Sequence, residues 1–163
     1  MINLVIWNEF LHEKENDQVK SIYPKGIHEC IKEFLSKDKE LSISTATLKE
    51  KDHGLSEELL ENTDVLIWWG HKAHKLVEDK IVDRIQQRVL EGMGLLVLHS
   101  GHHSKIFKRM MGTTANLRWA ERGEKERIWV CNPGHPIADG LDEYFEIEMT
   151  EMYGEPFQVP APD

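Results

Sequence analysis

The stretch Gly94-Leu95-Leu96-Val97-Leu98-His99-Ser100-Gly101-His102-His103 decides the reading of the fold. Leu95 to Leu98 are apolar without alternation, as expected of a parallel strand covered on both faces. The run then collapses into Ser, Gly and three histidines within five residues, so something polar is expected at the end of a buried strand. Ser104 to Met111 reads as a short helix. A sharp strand-to-helix turn with a small residue just past its apex lifts one side chain, here His99, above the carboxyl edge of a sheet.

Outward from this turn the same grammar repeats. Ile2 to Trp7 and Val65 to Trp69 are two more unbroken apolar strands, and Leu41 to Thr47 is an alternating, β-branched one. Pro24 is read as a first-turn proline ahead of Ile27, Ile31, Phe34 and Leu35, whose spacing makes one apolar helical face. Asp79 to Glu91 repeats this with Ile81, Val82, Ile85, Val89 and Leu90, and Gly92 supplies the stop. The order β-α-β-α-β-α-β predicts a mostly parallel sheet with helices on both faces. Open α/β sheets of this kind bind ligands in the crevice outside the carboxyl ends of their strands.

After the short helix, Thr113 to Arg127 is rich in charge and reads as a surface excursion, followed by strands at Ile128 to Cys131 and Tyr144 to Met149. The chain then passes through Pro156, Pro160 and Pro162 with no helix to cover its last strand. Residues 1–163 are therefore expected to form a single domain lacking its C-terminal part.

Twenty basic against twenty-nine acidic residues give a net charge of −9, with no Lys/Arg stripe interleaved with aromatics, so nucleic acid is not an expected partner. No apolar run reaches the length of a membrane span, and no basic region precedes the first strand, so no membrane association and a cytoplasmic location are expected. Cys30 and Cys131 stand apart and read as reduced structural thiols.

Four segments are expected to end at one carboxyl edge: Asn8 to Glu13, Gly70 to His74, the His99 turn, and Thr150 to Glu155. Histidines and carboxylates concentrate there, as divalent-metal or acid/base chemistry requires. His71 and His99 follow buried strands directly. Neighbouring parallel strands lie about 5 Å apart, so these two are expected to share a divalent metal, zinc first, with His103 or Glu151 as a further ligand. Simpler readings apply elsewhere: His28 and His53 as solvated, His12 in a flexible charged loop, His135 in a rigid turn, and Trp68-Trp69 as core packing.

The stretches Ile67 to His71, Leu96 to Phe107, His135 to Leu141 and Glu151 to Glu155 resemble the trehalose-utilisation, or ThuA-like, family over essentially the whole chain. The resemblance implies a class I glutamine amidotransferase-like fold, a flavodoxin-like three-layer α/β/α sandwich, and a role in the breakdown of trehalose and related disaccharides. The amidotransferase elbow reads Gly-x-Cys-x-Gly-His-Gln, and its register here gives Val97-Leu98-His99-Ser100-Gly101-His102-His103. An imidazole in place of the nucleophilic cysteine cannot form a thioester, so glutaminase chemistry is not expected.

The expected activity is acid/base chemistry on a disaccharide or a keto-sugar made from one, with or without a metal. Glu151 or Glu9 would serve as base, His99 and His71 would polarise the sugar oxygen or hold the ion, and Trp69, His71, Ser100 and Tyr153 would contact the sugar. A non-catalytic carbohydrate-binding or regulatory module is the competing reading. Either is compatible with a homo-oligomer.

Overall fold

The computed structural model describes residues 1–161, which divide into two compact units. The first comprises Met1–Ala115 and resumes at Val159, and the second is Asn116–Gln158.

The first unit carries β1 (Ile2–Asn8), α1 (His12–Glu15), α2 (Asp17–Ile22), α3 (Ile27–Leu35), β2 (Leu41–Thr47), α4 (Glu57–Glu61), β3 (Val65–Trp69), α5 (Asp79–Leu90), β4 (Gly94–Leu98) and α6 (Lys105–Met111). All four strands are parallel, in the order β2-β1-β3-β4. The sheet is mixed in its surroundings but not in its direction, because every return path is a helix or a crossover loop.

Strand alternation sorts the core into two layers. Val5, Trp7, Leu66, Trp68, Leu95 and Val97 face α4, α5 and α6, where Leu60, Ile81, Ile85 and Ile106 are fully buried. Leu4, Ile6, Ile43, Ile67 and Leu98 face Ile31 and Leu35 of α3. The result is the expected α/β/α sandwich. Trp7 and Trp68, on adjacent strands, stack with ring centroids 3.8 Å apart and planes 14° apart. Such a pair adds about 1 kcal/mol to the burial of the two rings.

The element ends follow local chemistry. The Ser104 hydroxyl accepts from Phe107 N at the start of α6, and Gly112 ends that helix at φ +69°. Gly92 (φ +113°) follows α5 in the same way. Pro24 differs from expectation: it lies in the turn ahead of α3, whose N-cap is Gly26 at φ +96°. β4 also differs from a strand buried on both sides. Among the described residues it pairs with β3 alone, and α3 packs over β1 and β2, so Leu96 stays 48% exposed.

The second unit is a two-stranded antiparallel sheet of β5 (Arg118–Trp129) and β6 (Tyr144–Gly154). The charged surface excursion expected up to Arg127 is thus largely a strand, as is the Thr150 to Gly154 segment expected as an edge loop. A ribbon exposed on both faces needs no apolar run. It is tied by cross-strand ion pairs, Arg127 and Lys125 to Glu146 and Lys125 to Glu148, and by Trp129 against Tyr144 at 5.0 Å. The register shifts between Glu121 and Glu126, and Gly123 sits in this bulge at φ +67°. His135 forms the expected rigid turn, its Nδ1 accepting from Ile137 N at 3.1 Å. Of the three tail prolines, Pro162 lies outside the described residues.

Candidate functional site

Register places the site. Asn8 is opposite Trp69 and Trp69 opposite Leu98, so β1, β3 and β4 end level at one carboxyl edge. The segments leaving that edge carry His12, His71 and His99. Their rings meet around Trp69. The His71 imidazole lies 6.3 Å from the Trp69 indole with planes 3° apart, the His99 imidazole 6.2 Å from it at 38°, and the His12 imidazole stacks on His71 at 4.6 Å and 19°. His71 and His99 therefore share one edge, as expected. His12, expected in a flexible loop, belongs to α1 and to this row of rings.

The two tryptophans divide their tasks. Trp68 is 1% exposed and stacked in the core, while Trp69 is half-buried beneath the histidines. Alternation across the strand explains the difference, because successive side chains point to opposite faces.

Backbone strain marks both outer loops of the edge. Phe10 has φ +48° and His99 φ +43°, a region that non-glycine residues occupy only when the surroundings impose it. At Phe10 the imposition is an Asn8 Oδ1 acceptor for its N–H at 2.8 Å. At His99 it is the close approach of the turn to β3. The Ser100 hydroxyl donates to Gly70 O at 3.0 Å, and a Cβ on Gly101 would come within 2.8 Å of Val97 Cγ1 and 3.4 Å of Trp68 O. Ser100 thus holds two loops together.

Beneath the rings lies buried polarity that sequence reading missed. Asn8, Glu9, Glu13 and His28 are 5% exposed or less. The Asn8 amide donates to Glu13 Oε1 at 2.6 Å and to His28 Nδ1 at 2.9 Å, and Glu13 Oε1 also accepts from Ile27 N at 3.0 Å. Because an amide nitrogen can only donate, His28 Nδ1 is the acceptor and its proton sits on Nε2. Burial holds the His28 pKa below its ordinary value. His53 is also buried, contrary to expectation. Its Nδ1 lies 2.7 Å from Leu48 O and its Nε2 accepts from Glu78 N at 3.1 Å, which fixes the neutral tautomer with Nδ1–H as donor.

Glu9 was expected as a base on the open edge. It is instead 1% exposed, and its carboxylate accepts from the main-chain N–H groups of His71 (2.9 Å), Lys72 (2.7 Å) and Ala73 (2.9 Å).

Partial desolvation, then the neighbouring His12, lowers the His71 pKa against the opposing pull of Glu9. Burial brings His74 down to about 4. Four buried side-chain atoms lack a protein partner among the described residues: Glu13 Oε2, Trp68 Nε1, Trp69 Nε1 and His74 Nδ1. All belong to the ends of β1 and β3 or to the segments that leave them, and orphaned polar atoms of this kind concentrate where a fold trades stability for function.

The expected zinc set does not fit this geometry. Among the described residues no three His, Cys, Asp or Glu side chains are grouped to hold a metal ion. His71 is stacked on His12, and His103 lies 4.1 Å from His102 and 6.3 Å from His74 between ring centroids.

In the second unit, Glu151 and Tyr153 stand on β6, with the Tyr153 hydroxyl donating to Glu151 Oε2 at 2.6 Å. Burial, reinforced by this carboxylate, raises the Tyr153 pKa well above its usual value.

A family model described as trehalose utilisation (ThuA) matches residues 3–163. The chain belongs to the ThuA family. Among solved structures, a ThuA-like protein from Bacteroides uniformis is similar at a TM-score of 0.67 and 16% identity, over 93% of this chain. This chain spans 60% of that protein's length. No curated protein matches. The strained His99 turn holds no cysteine; Cys30 in α3 and Cys131 beyond β5 are exposed and lie elsewhere in the sequence. Among the described residues no helix is long and apolar enough to cross a membrane.

Proposed function

We propose that this ThuA chain handles a sugar of trehalose utilisation at the Trp69 edge, and that it performs acid/base chemistry beside the carbonyl of a keto-sugar derived from a disaccharide. The observation that carries the reading is the convergence of His71 and His99 on one half-buried indole. An indole face packs against the C–H face of a sugar ring, and imidazoles around it reach the ring oxygens.

A neutral imidazole can take the proton from the carbon next to the keto group, while the electron pair of that C–H bond forms a C=C bond, the C=O π pair moves to the oxygen, and the second imidazole supplies a proton there. The product of this step is an enediol, which reverts with changed configuration or loses a β-substituent. His71, its pKa held below the ordinary value, suits the base. His99, on its strained turn, suits the oxygen. The hydrogen-bonded Glu151 and Tyr153 of the second unit are a further candidate for proton transfer.

One observation favours a non-catalytic binding module: Glu9, the carboxylate nearest His71 in this edge, is committed to main-chain N–H groups. Turnover separates the two readings. With a keto derivative of trehalose as substrate, His71→Ala and His99→Ala should each lower kcat/KM by roughly 100-fold or more, the scale of a lost proton-transfer group. Wild-type protein that binds this sugar without converting it would favour the module.

A further inference from the structure

Glu9 is the best-placed charged group of the molecule that the proposed chemistry does not use. Its own N–H donates to Trp69 O at 3.3 Å, which carries the β1–β3 ladder one step past the Asn8–Trp69 pair. The side chain therefore starts where the segment after β3 begins. Its two oxygens then take three consecutive main-chain donors, those of residues 71, 72 and 73.

Consecutive N–H groups converging on one anion form a nest, and each bond to a carboxylate is stronger than one to a neutral acceptor. A buried carboxylate is stable only when its oxygens are satisfied in this way. A base that is 1% exposed and already accepts three bonds is poorly placed to meet a substrate. The same bonds have a different consequence, since they set the backbone from which His71 projects.

Resting on the function proposed above, we infer that Glu9 is a positioning residue: its carboxylate fixes the segment His71–Ala73 and thereby holds the His71 imidazole against His12 and Trp69. Glutamine cannot replace it. An amide offers one acceptor oxygen and turns two further donors toward N–H groups that are donors themselves.

The test uses the full chain and nuclear magnetic resonance. In Glu9→Gln, the amides of His71, Lys72 and Ala73 should exchange with solvent at least tenfold faster than in wild type, and the inter-ring NOE between His12 and His71 should disappear. Amides within Leu4 to Trp7 and Leu66 to Trp68 should keep their protection. Unchanged exchange at 71–73 with an intact NOE overturns the inference. So does faster exchange spread evenly over the sheet, because that is general destabilisation.

If Glu9→Gln does not fold, Glu9→Asp serves, since it keeps the charge but withdraws it by one methylene. It should show the same local loss in smaller measure, and protection at 71–73 equal to wild type overturns the inference. With the keto derivative of trehalose, positioning predicts a fall in kcat of roughly tenfold or more with KM within about threefold. A wild type without turnover counts against the functional reading alone, and the exchange and NOE results still decide the role of Glu9.

Discussion

The Trp69 indole and the His71 imidazole lie parallel, with 3° between their planes and 6.3 Å between their centroids, although His71 stands outside the strand that carries Trp69. Adjacent tryptophans should therefore answer differently to truncation. Trp68→Ala should cost about 3–5 kcal/mol of stability, because it opens a cavity under Trp7 in the main core. Trp69→Ala should cost clearly less in denaturant unfolding and should abolish sugar binding. Equal losses of stability would contradict the division of labour.

His99 stores strain that glycine would release. At φ +43° a non-glycine residue is held at a cost of about 1 kcal/mol or more, against which glycine adds unfolded-state entropy of similar size. His99→Gly should melt within a few degrees of wild type or above it, and should lose turnover. A large drop in melting temperature would show that the imidazole is structural.

Acid should weaken the fold through its buried histidines. His28 and His74 have folded pKa values below the ordinary 6.5, so the unfolded chain takes up protons first as pH falls. Their contribution is complete above about pH 6.5 and is lost as pH drops from there toward the folded values, about 4 for His74. After allowance for partial exposure, His74 accounts for up to about 2 kcal/mol of this. Urea unfolding of His74→Leu at pH 7 and pH 5 should show a flatter dependence than wild type; the same slope would refute the assignment.

The pair in the second unit can be tested by itself. Glu151→Gln removes the charge beside Tyr153, so the phenol should ionise at lower pH than in wild type, read by ultraviolet difference titration. If Glu151 takes a proton during turnover, the same variant should lose roughly 100-fold in kcat while binding sugar normally. Unaltered turnover would remove it from the mechanism.

Much of the sandwich was legible because its strands read as unbroken apolar runs or, at Leu41–Thr47, as an alternating β-branched run. Leu41–Thr47, Val65–Trp69 and Gly94–Leu98 fall where the runs predict, and the shared edge of His71 and His99 follows from them. The hairpin was legible only in part: Tyr144 to Met149 reads as a strand and lies within β6, whereas Arg118 to Arg127 is held by cross-strand charge pairs and by no core-facing stripe. The buried polar groups were not legible. His28 is buried by Asn8, twenty residues away, His53 by Glu78, twenty-five away, and Glu9 by amides more than sixty away. Local pattern encodes none of these partners. The site was readable as a place, and its wiring was not.

The central claim is that the sugar of this ThuA chain sits on Trp69 between His71 and His99. Titrating the protein with a keto derivative of trehalose, while following indole N–H and imidazole C–H resonances, tests it most directly. The account predicts saturable shifts at Trp69, His71 and His99, with Trp7 unmoved in the core. Saturable binding that leaves Trp69, His71 and His99 unshifted would contradict it.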